Sequence, residues 1–337
     1  MLADEILAAS GSFPDRIYHG AFTALGIAIR GAKRFDLTPG VIVTANTVSG
    51  SSISAQFRAL PLCRLPFEYV WMEWPGADPV YASFREDNAT ELAPPPQRMG
   101  VLVHTDASRQ AGSMTFAWLH RQAGLNACPL ACFFDWRENA PEVMDVARDL
   151  FRQSGASEEE LRRHIIEQSR TLPQGKRSSD DDLLDHRSRF GLQLSPAFYG
   201  WSRAVMQQQG SLPGPGTPAW EMWARDIRGE PGQVRSIIML LNTRNLLHHE
   251  ELAAPERLNN QRLKSGKLPL LGRTIIRIRL SHGLQARAGL GGQREAARLH
   301  AVRGHFKIRT SGVYWWSDHF RGDAVRGVLH SSYKLEA

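Results

Sequence analysis

The sequence predicts an α+β protein: helices packed on a mainly antiparallel sheet, ending in a C-terminal basic β-hairpin module. Three observations predict it. Apolar residues near the start recur at helical spacing, several short runs between about 41 and 136 alternate or are apolar throughout, and a clean alternating pattern flanks Thr310, Ser311 and Gly312. With 337 residues, 42% hydrophobic and 22% charged, the chain has ordinary globular composition and enough length for two domains.

Taken in order, Ala21, Leu25, Ile27, Ala28 and Ala32 form an apolar stripe, with Arg30, Lys33 and Arg34 near its end, where they suit the helix dipole. A first helix is therefore expected to reach about residue 35. Residues 41–44, 67–74, 99–104 and 114–119 read as strands, punctuated by Pro75, Gly76, the prolines 94–96 and Gly112. Helices follow at 141–152, with Pro141 in the first turn, and from Ser157, whose three following glutamates favour a helix N-terminus. Residues 172–189 are polar and charged, and 210–218 are rich in Gly and Pro, so 171–218 is expected to be a linker with mobile loops. It would separate an N-terminal α+β domain, 1–170, from a C-terminal helix and basic sheet module, 219–337. Within that module 233–252 reads as a buried helix and 274–280 as a strand.

Charge divides the chain. Between Arg257 and Arg326 there are 15 Lys or Arg against 3 Asp or Glu, a balance of +12; the whole chain is +7, so the remainder carries −5. A basic module on a mildly acidic body is the footprint of a polyanion binder, with nucleic acid the first candidate. Only 6 of 41 basic residues are Lys, but Arg is abundant in the acidic part too, so its heavy use reflects composition rather than a site. Three cysteines are too few for a disulfide framework and point to a reducing, cytoplasmic setting. No apolar run approaches the ~20 residues that span a bilayer, so no membrane role is expected.

The hairpin turns composition into geometry. If Arg309 pairs with Val313 across a three-residue loop, Lys307 lies opposite Trp315, His305 opposite Ser317 and Arg303 opposite His319. Arg303, His305, Lys307, Arg309, Trp315 and His319 then share one face. Val302, Phe306, Ile308, Tyr314, Trp316 and Phe320 share the other. The first face suits phosphate contacts by Arg303, Lys307 and Arg309 with Trp315 as a stacking plane, and Arg262, Lys264 and Lys267 add phosphate contacts upstream. The same face admits chemistry: His305 and His319 as an acid–base pair with Arg303 as clamp would make a metal-independent ribonuclease. A phage structural or assembly protein, pairing its basic surface with an acidic phage or host partner, is the third reading.

The residues Asn259, Arg262, Lys264, Gly266, Lys267, Pro269 and Leu270, then His300, Arg303, Gly304, His305 and Phe306, then Trp316, His319, Arg321 and Gly322, form a spaced signature. It resembles the C-terminal signature of uncharacterised proteins encoded by phages and prophages of proteobacteria. The segment from Leu65 to Trp74 is similar more loosely. The resemblance implies a mobile-element context and no mechanism.

Other constellations read as structural. Cys128 and Cys132, with Cys63, have ligand types for zinc but apolar neighbours that suit a packed interior. His248 and His249 are adjacent, so they point apart and cannot readily share a metal; a helix C-terminus is their expected place. Asp180, Asp181, Asp182 and Asp185 read as a solvated acidic loop. His104 and Asp106 end a strand, where sites often lie, but two residues do not make one. Gly289 to Gly292 lacks the Lys-Ser/Thr ending of a phosphate loop and reads as a connection. Trp71 and Trp74 suit core use. No cofactor or metal is implied.

Overall fold

The computed structural model describes residues 1–12, 19–49, 56, 58–76, 96–121, 123–170, 178–227, 230–279, 298–302, 305–316, 319–321 and 323–328. The fold is α+β. Its centre is an eight-stranded sheet of β1 (Lys33–Leu37), β2 (Tyr69–Pro75), β3 (Arg98–Thr105), β4 (Ala111–His120), β5 (Gly124–Asp135), β6 (Phe190–Leu194), β8 (Leu247–Leu252) and β9 (Arg273–Ile278), in the order β6-β5-β4-β3-β2-β1-β9-β8. Two pairings, β1 with β2 and β1 with β9, are parallel; the others are antiparallel.

Register sorts the side chains. Phe35 and Leu37 share a face with Met72 and Trp74, whereas Arg34 and Asp36 share the opposite face with Trp71 and Glu73. The first face is covered by α3 (Pro39–Ser49) and α9 (Glu230–Leu241) and holds the main core, including Val41, Ile42, Val234 and Ile237. The second face is covered by α1 (Leu2–Ser12) and α2 (His19–Gly31), whose Leu2, Ile6, Leu25 and Ile29 pack on Trp71, Leu102 and Ala117. Gly100 lies under the Trp71 indole, and a Cβ there would collide with the ring.

A buried charge network ties α1 to the sheet. Glu73 is 1% exposed. Its Oε2 accepts hydrogen bonds from the Ala3 amide at 2.9 Å and the Trp71 indole N–H at 2.9 Å, and its Oε1 accepts one from the Leu2 amide at 3.2 Å. Arg98 reaches Glu73 and Asp36 at 2.8 Å each, and Arg273 lies 3.3 Å from Asp36. A carboxylate at the first amides of α1 also complements the helix dipole.

Several elements differ from expectation. Residues 41–44 belong to α3, because Val41, Ile42, Ala45 and Val48 are buried at helical spacing; a short β-branched run does not by itself distinguish strand from helix. Lys33 to Leu37, expected as the end of a helix, is the interior strand β1, paired in parallel with β2 and β9. The helix expected over 233–252 stops at Leu241. Asn242 turns its side-chain amide onto the Ile238 and Arg64 carbonyls, Asn245 takes a left-handed turn at φ 65°, and β8 pairs with β9 at the sheet edge. The expected linker instead contains α6 (Asp180–Ser188), β6 and α7 (Tyr199–Gln209). Ser179 caps α6 by accepting from the Asp182 amide at 3.2 Å, so the aspartate run is a helix's first turn. One sheet takes strands from both sides of the expected boundaries at 171 and 219. Among the described residues, no helix is long and apolar enough to cross a membrane.

Candidate nucleic-acid interface

The basic hairpin exists, but its register differs by one residue. Strands β11 (His305–Arg309) and β12 (Gly312–Trp316) pair Arg309 with Gly312, Ile308 with Val313, Lys307 with Tyr314 and Phe306 with Trp315. The connection is the two residues Thr310 and Ser311. A one-residue shift moves every β12 side chain to the other face. Trp315 therefore leaves the basic face and, with Ile308, packs against the main core, where Val313 is buried. Tyr314 takes its place. The physical reason is the third strand. β7 (Thr243–Arg244) leaves the end of the buried helix α9 and pairs in parallel with β12, Val313 beside the buried Thr243 and Tyr314 beside Arg244. Burial of Val313 beside Thr243 fixes which face is outward.

The outward face is a row across three strands: Lys307, Tyr314 and Arg244. The Arg244 guanidinium donates to the Tyr314 hydroxyl at 3.1 Å and lies 5.4 Å from the ring centre, a cation–π contact. Ser311 Oγ is 3.0 Å from the same hydroxyl. Arg309 shares this face two residues from Lys307; it is exposed, and its cross-strand neighbour Gly312 has no side chain to cover it.

The single strand expected over 300–309 is two. β10 (Arg298–Val302) pairs with β13 (His319–Arg321), Val302 beside His319, and with β14 (Asp323–Val328), in a sheet separate from β11 and β12. His305 pairs with Trp316 rather than Ser317. His305 and His319 thus belong to different sheets, not to adjacent strands of one hairpin, which removes the cross-strand geometry on which the acid–base pair was built. Arg303, its expected clamp, lies outside the described residues.

The upstream residues have mixed roles. On α10 (Glu256–Lys264), Asn259 and Arg262 clamp the following loop. Asn259 donates to the Leu270 carbonyl at 2.9 Å and accepts from its amide at 2.7 Å, while Arg262 Nε donates to the Leu268 carbonyl at 2.9 Å. The Lys267 amide returns to the Arg262 carbonyl at 2.8 Å, across Gly266 in the left-handed region at φ 67°. Most of the first block of the spaced signature is therefore the recipe for a rigid helix-to-loop corner. Lys264 and Lys267 are exposed on it. Arg262 and Lys267 line a cleft of about 520 Å³ together with Arg30 of α2.

Other groups prove structural. All three cysteines are buried thiols, and burial pushes each up to about 12. Asp106 accepts from the Ser108 amide at 3.0 Å and hydroxyl at 2.5 Å, holding the β3–β4 turn, and His104 stacks on Tyr69 at 4.2 Å. His248 and His249 are successive residues of β8, not of a helix end, so their side chains project to opposite faces of the sheet. Residues 289–292 lie outside the described residues. Sequence reasoning missed the buried cations Arg148, 5% exposed, and Arg235 of α9, 2% exposed. Arg235 Nη1 meets His186 Nε2 at 2.5 Å and its guanidinium lies 5.7 Å from the centre of the Phe190 ring. Burial, then the charges of Arg235 and Arg187, hold His186 well below its ordinary range.

Comparison of the chain with family models, with curated proteins and with solved structures finds no match.

Proposed function

We propose that this protein binds nucleic acid in a phage or prophage setting, through the outward face of the three-stranded sheet β11-β12-β7. One observation carries the reading: register places Lys307, Tyr314 and Arg244 in a row with Arg309 beside them, cations interleaved with an aromatic. Arginine and lysine neutralise backbone phosphates, and a tyrosine ring supplies a plane on which any base can stack. The charge of the surrounding sequence supports the same partner, since 257–326 carries +12 against −5 in the rest of the chain. Lys264 and Lys267, exposed on the α10 corner, are further cations of the same basic segment of the chain. Binding is preferred to the ribonuclease reading because the strands of His305 and His319 do not pair with each other.

The test is fluorescence anisotropy with labelled single-stranded RNA and DNA across a salt series. Single strands lose about 0.7 log units of affinity per log unit of salt for each phosphate contact. Contacts from Arg244, Lys307 and Arg309 therefore predict a slope near about −2. Arg244→Gln with Arg309→Gln should bring the slope close to about −0.7, and Tyr314→Ala should weaken binding by about 1–3 kcal/mol with little change in slope. A slope near zero for the wild type, or variants that bind as well as the wild type, would overturn the reading.

A further inference from the structure

The cleft between α1, α2 and the α10 corner shares no residue with the hairpin row of Lys307, Tyr314, Arg244 and Arg309. Its walls combine two chemistries. Leu7 and Ala8 of α1 and Leu268, Pro269 and Leu270 of the corner supply apolar surface. Arg30, Arg262 and Lys267 come from two separate elements and converge on the same space. Arg30 lies in a helix expected to use it only against its own dipole, so only the tertiary structure brings it to Arg262.

Three features make this a built site rather than scattered surface charge. The volume of about 520 Å³ falls inside the range of about 300–1,000 Å³ typical of small-molecule pockets. The corner wall is fixed by the Asn259 pair to Leu270, by Arg262 Nε on the Leu268 carbonyl and by the Lys267 amide on the Arg262 carbonyl. Among the described residues, the Arg30 guanidinium, both Nη groups of Arg262 and the Lys267 ammonium have no hydrogen-bonded or ion-paired partner. Asp4 is the one carboxylate lining the cleft, and Arg34 of β1 interacts with it electrostatically. The pattern is cationic ends around an apolar wall, with a single acceptor.

We propose that this cleft binds a phosphate monoester carrying a flat, largely apolar body, that is, a nucleoside monophosphate unit. Arg30, Arg262 and Lys267 take the phosphate, the base lies on the leucine and proline surface, and Asp4 accepts from a base or ribose donor. The ligand is either a free nucleotide or the 5′-phosphorylated end of a strand, which present the same chemistry.

Isothermal titration with AMP, with adenosine and with inorganic phosphate tests this on the full chain. AMP should bind, adenosine and phosphate at least 10-fold more weakly, because neither satisfies both halves of the cleft. Arg30→Gln with Lys267→Gln should weaken AMP by 10-fold or more while the melting temperature stays unchanged; neither side chain holds the fold. Arg244→Gln with Arg309→Gln should leave AMP binding intact, which separates this site from the hairpin reading. Competition by a 5′-phosphorylated oligonucleotide, but not by its 5′-hydroxyl counterpart, identifies a strand end as the ligand; competition by neither identifies a free nucleotide. Absence of AMP binding at millimolar concentration, equal binding of adenosine, or indifference to the Arg30 and Lys267 changes would each overturn the proposal.

Discussion

Single residues decide which face of the hairpin meets solvent. Trp315 and Tyr314 are neighbours with opposite assignments, and a pair of substitutions separates them. Trp315→Ala should lower stability by about 2 kcal/mol, less than for a fully buried tryptophan, and leave nucleic-acid affinity of the folded protein unchanged. Tyr314→Ala should do the reverse; thermal melts and anisotropy read both. Midway along α9, the Arg235–His186 contact makes stability depend on pH. His186 must be neutral to accept from Arg235, and its folded pKa is depressed below the unfolded value of about 6.5. As pH falls below about 6.5 the unfolded chain takes up a proton that the folded chain refuses, so stability is full above that point and declines as pH drops towards the folded pKa. His186→Gln, which keeps an acceptor for Arg235 and cannot titrate, should flatten this decline in urea melts between pH 7 and 5. An unchanged decline would mean another group causes it.

At the scale of the element, the α10 corner shows how far a spaced motif can be read. Asn259, Arg262, Gly266, Lys267 and Leu270 were visible as a pattern, and the lysines as cations. The pattern did not say that Asn259 satisfies both backbone groups of Leu270, because a side chain's partner across eleven residues depends on a turn that spacing alone does not specify. Asn259→Ala should cost about 1–3 kcal/mol by leaving the Leu270 amide and carbonyl without their partner. It should also raise hydrogen exchange at Leu270 selectively, and an unaltered Leu270 amide would remove the clamp. Strands 67–74, 99–104 and 114–119 were legible because each carries a continuous or alternating apolar run long enough to fix its period. Residues 41–44 were not. Four apolar or β-branched residues suit either element, and the helical positions Ala45 and Val48 decided it by burial.

Over the whole molecule, the sheet draws β1 to β6 from the first two-thirds of the chain and β8 and β9 from the last third. The parallel trio β2-β1-β9, one strand in from the β8 edge, is where these parts are joined. The network of Asp36, Glu73, Arg98 and Arg273 crosses that junction and reaches into α1. Removing the buried carboxylate with Glu73→Ala should leave the first amides of α1 and the Trp71 indole N–H without their acceptor, and Arg98 with Asp36 alone, and cost about 3–5 kcal/mol. The loss should appear as one cooperative transition shared by both halves of the chain. Two separated transitions, the second unaffected, would show that the halves fold independently.

The sequence by itself determined the α+β class, the strands at 67–74, 99–104, 114–119 and 274–280, the buried cysteines and the concentration of positive charge after residue 257. These follow from composition and from periods that local geometry enforces. Only the tertiary structure decided the hairpin register, the joining of the two halves in one sheet, and the meeting of Arg30 with Arg262 and Lys267. Each depends on which distant surface a segment buries. Thr243 and the core fix the face of Val313, β1 recruits β9, and α2 delivers Arg30 to the α10 corner. A local pattern cannot encode its partner, and a shift of one residue in pairing was enough to exchange a tryptophan for a tyrosine on the candidate interface.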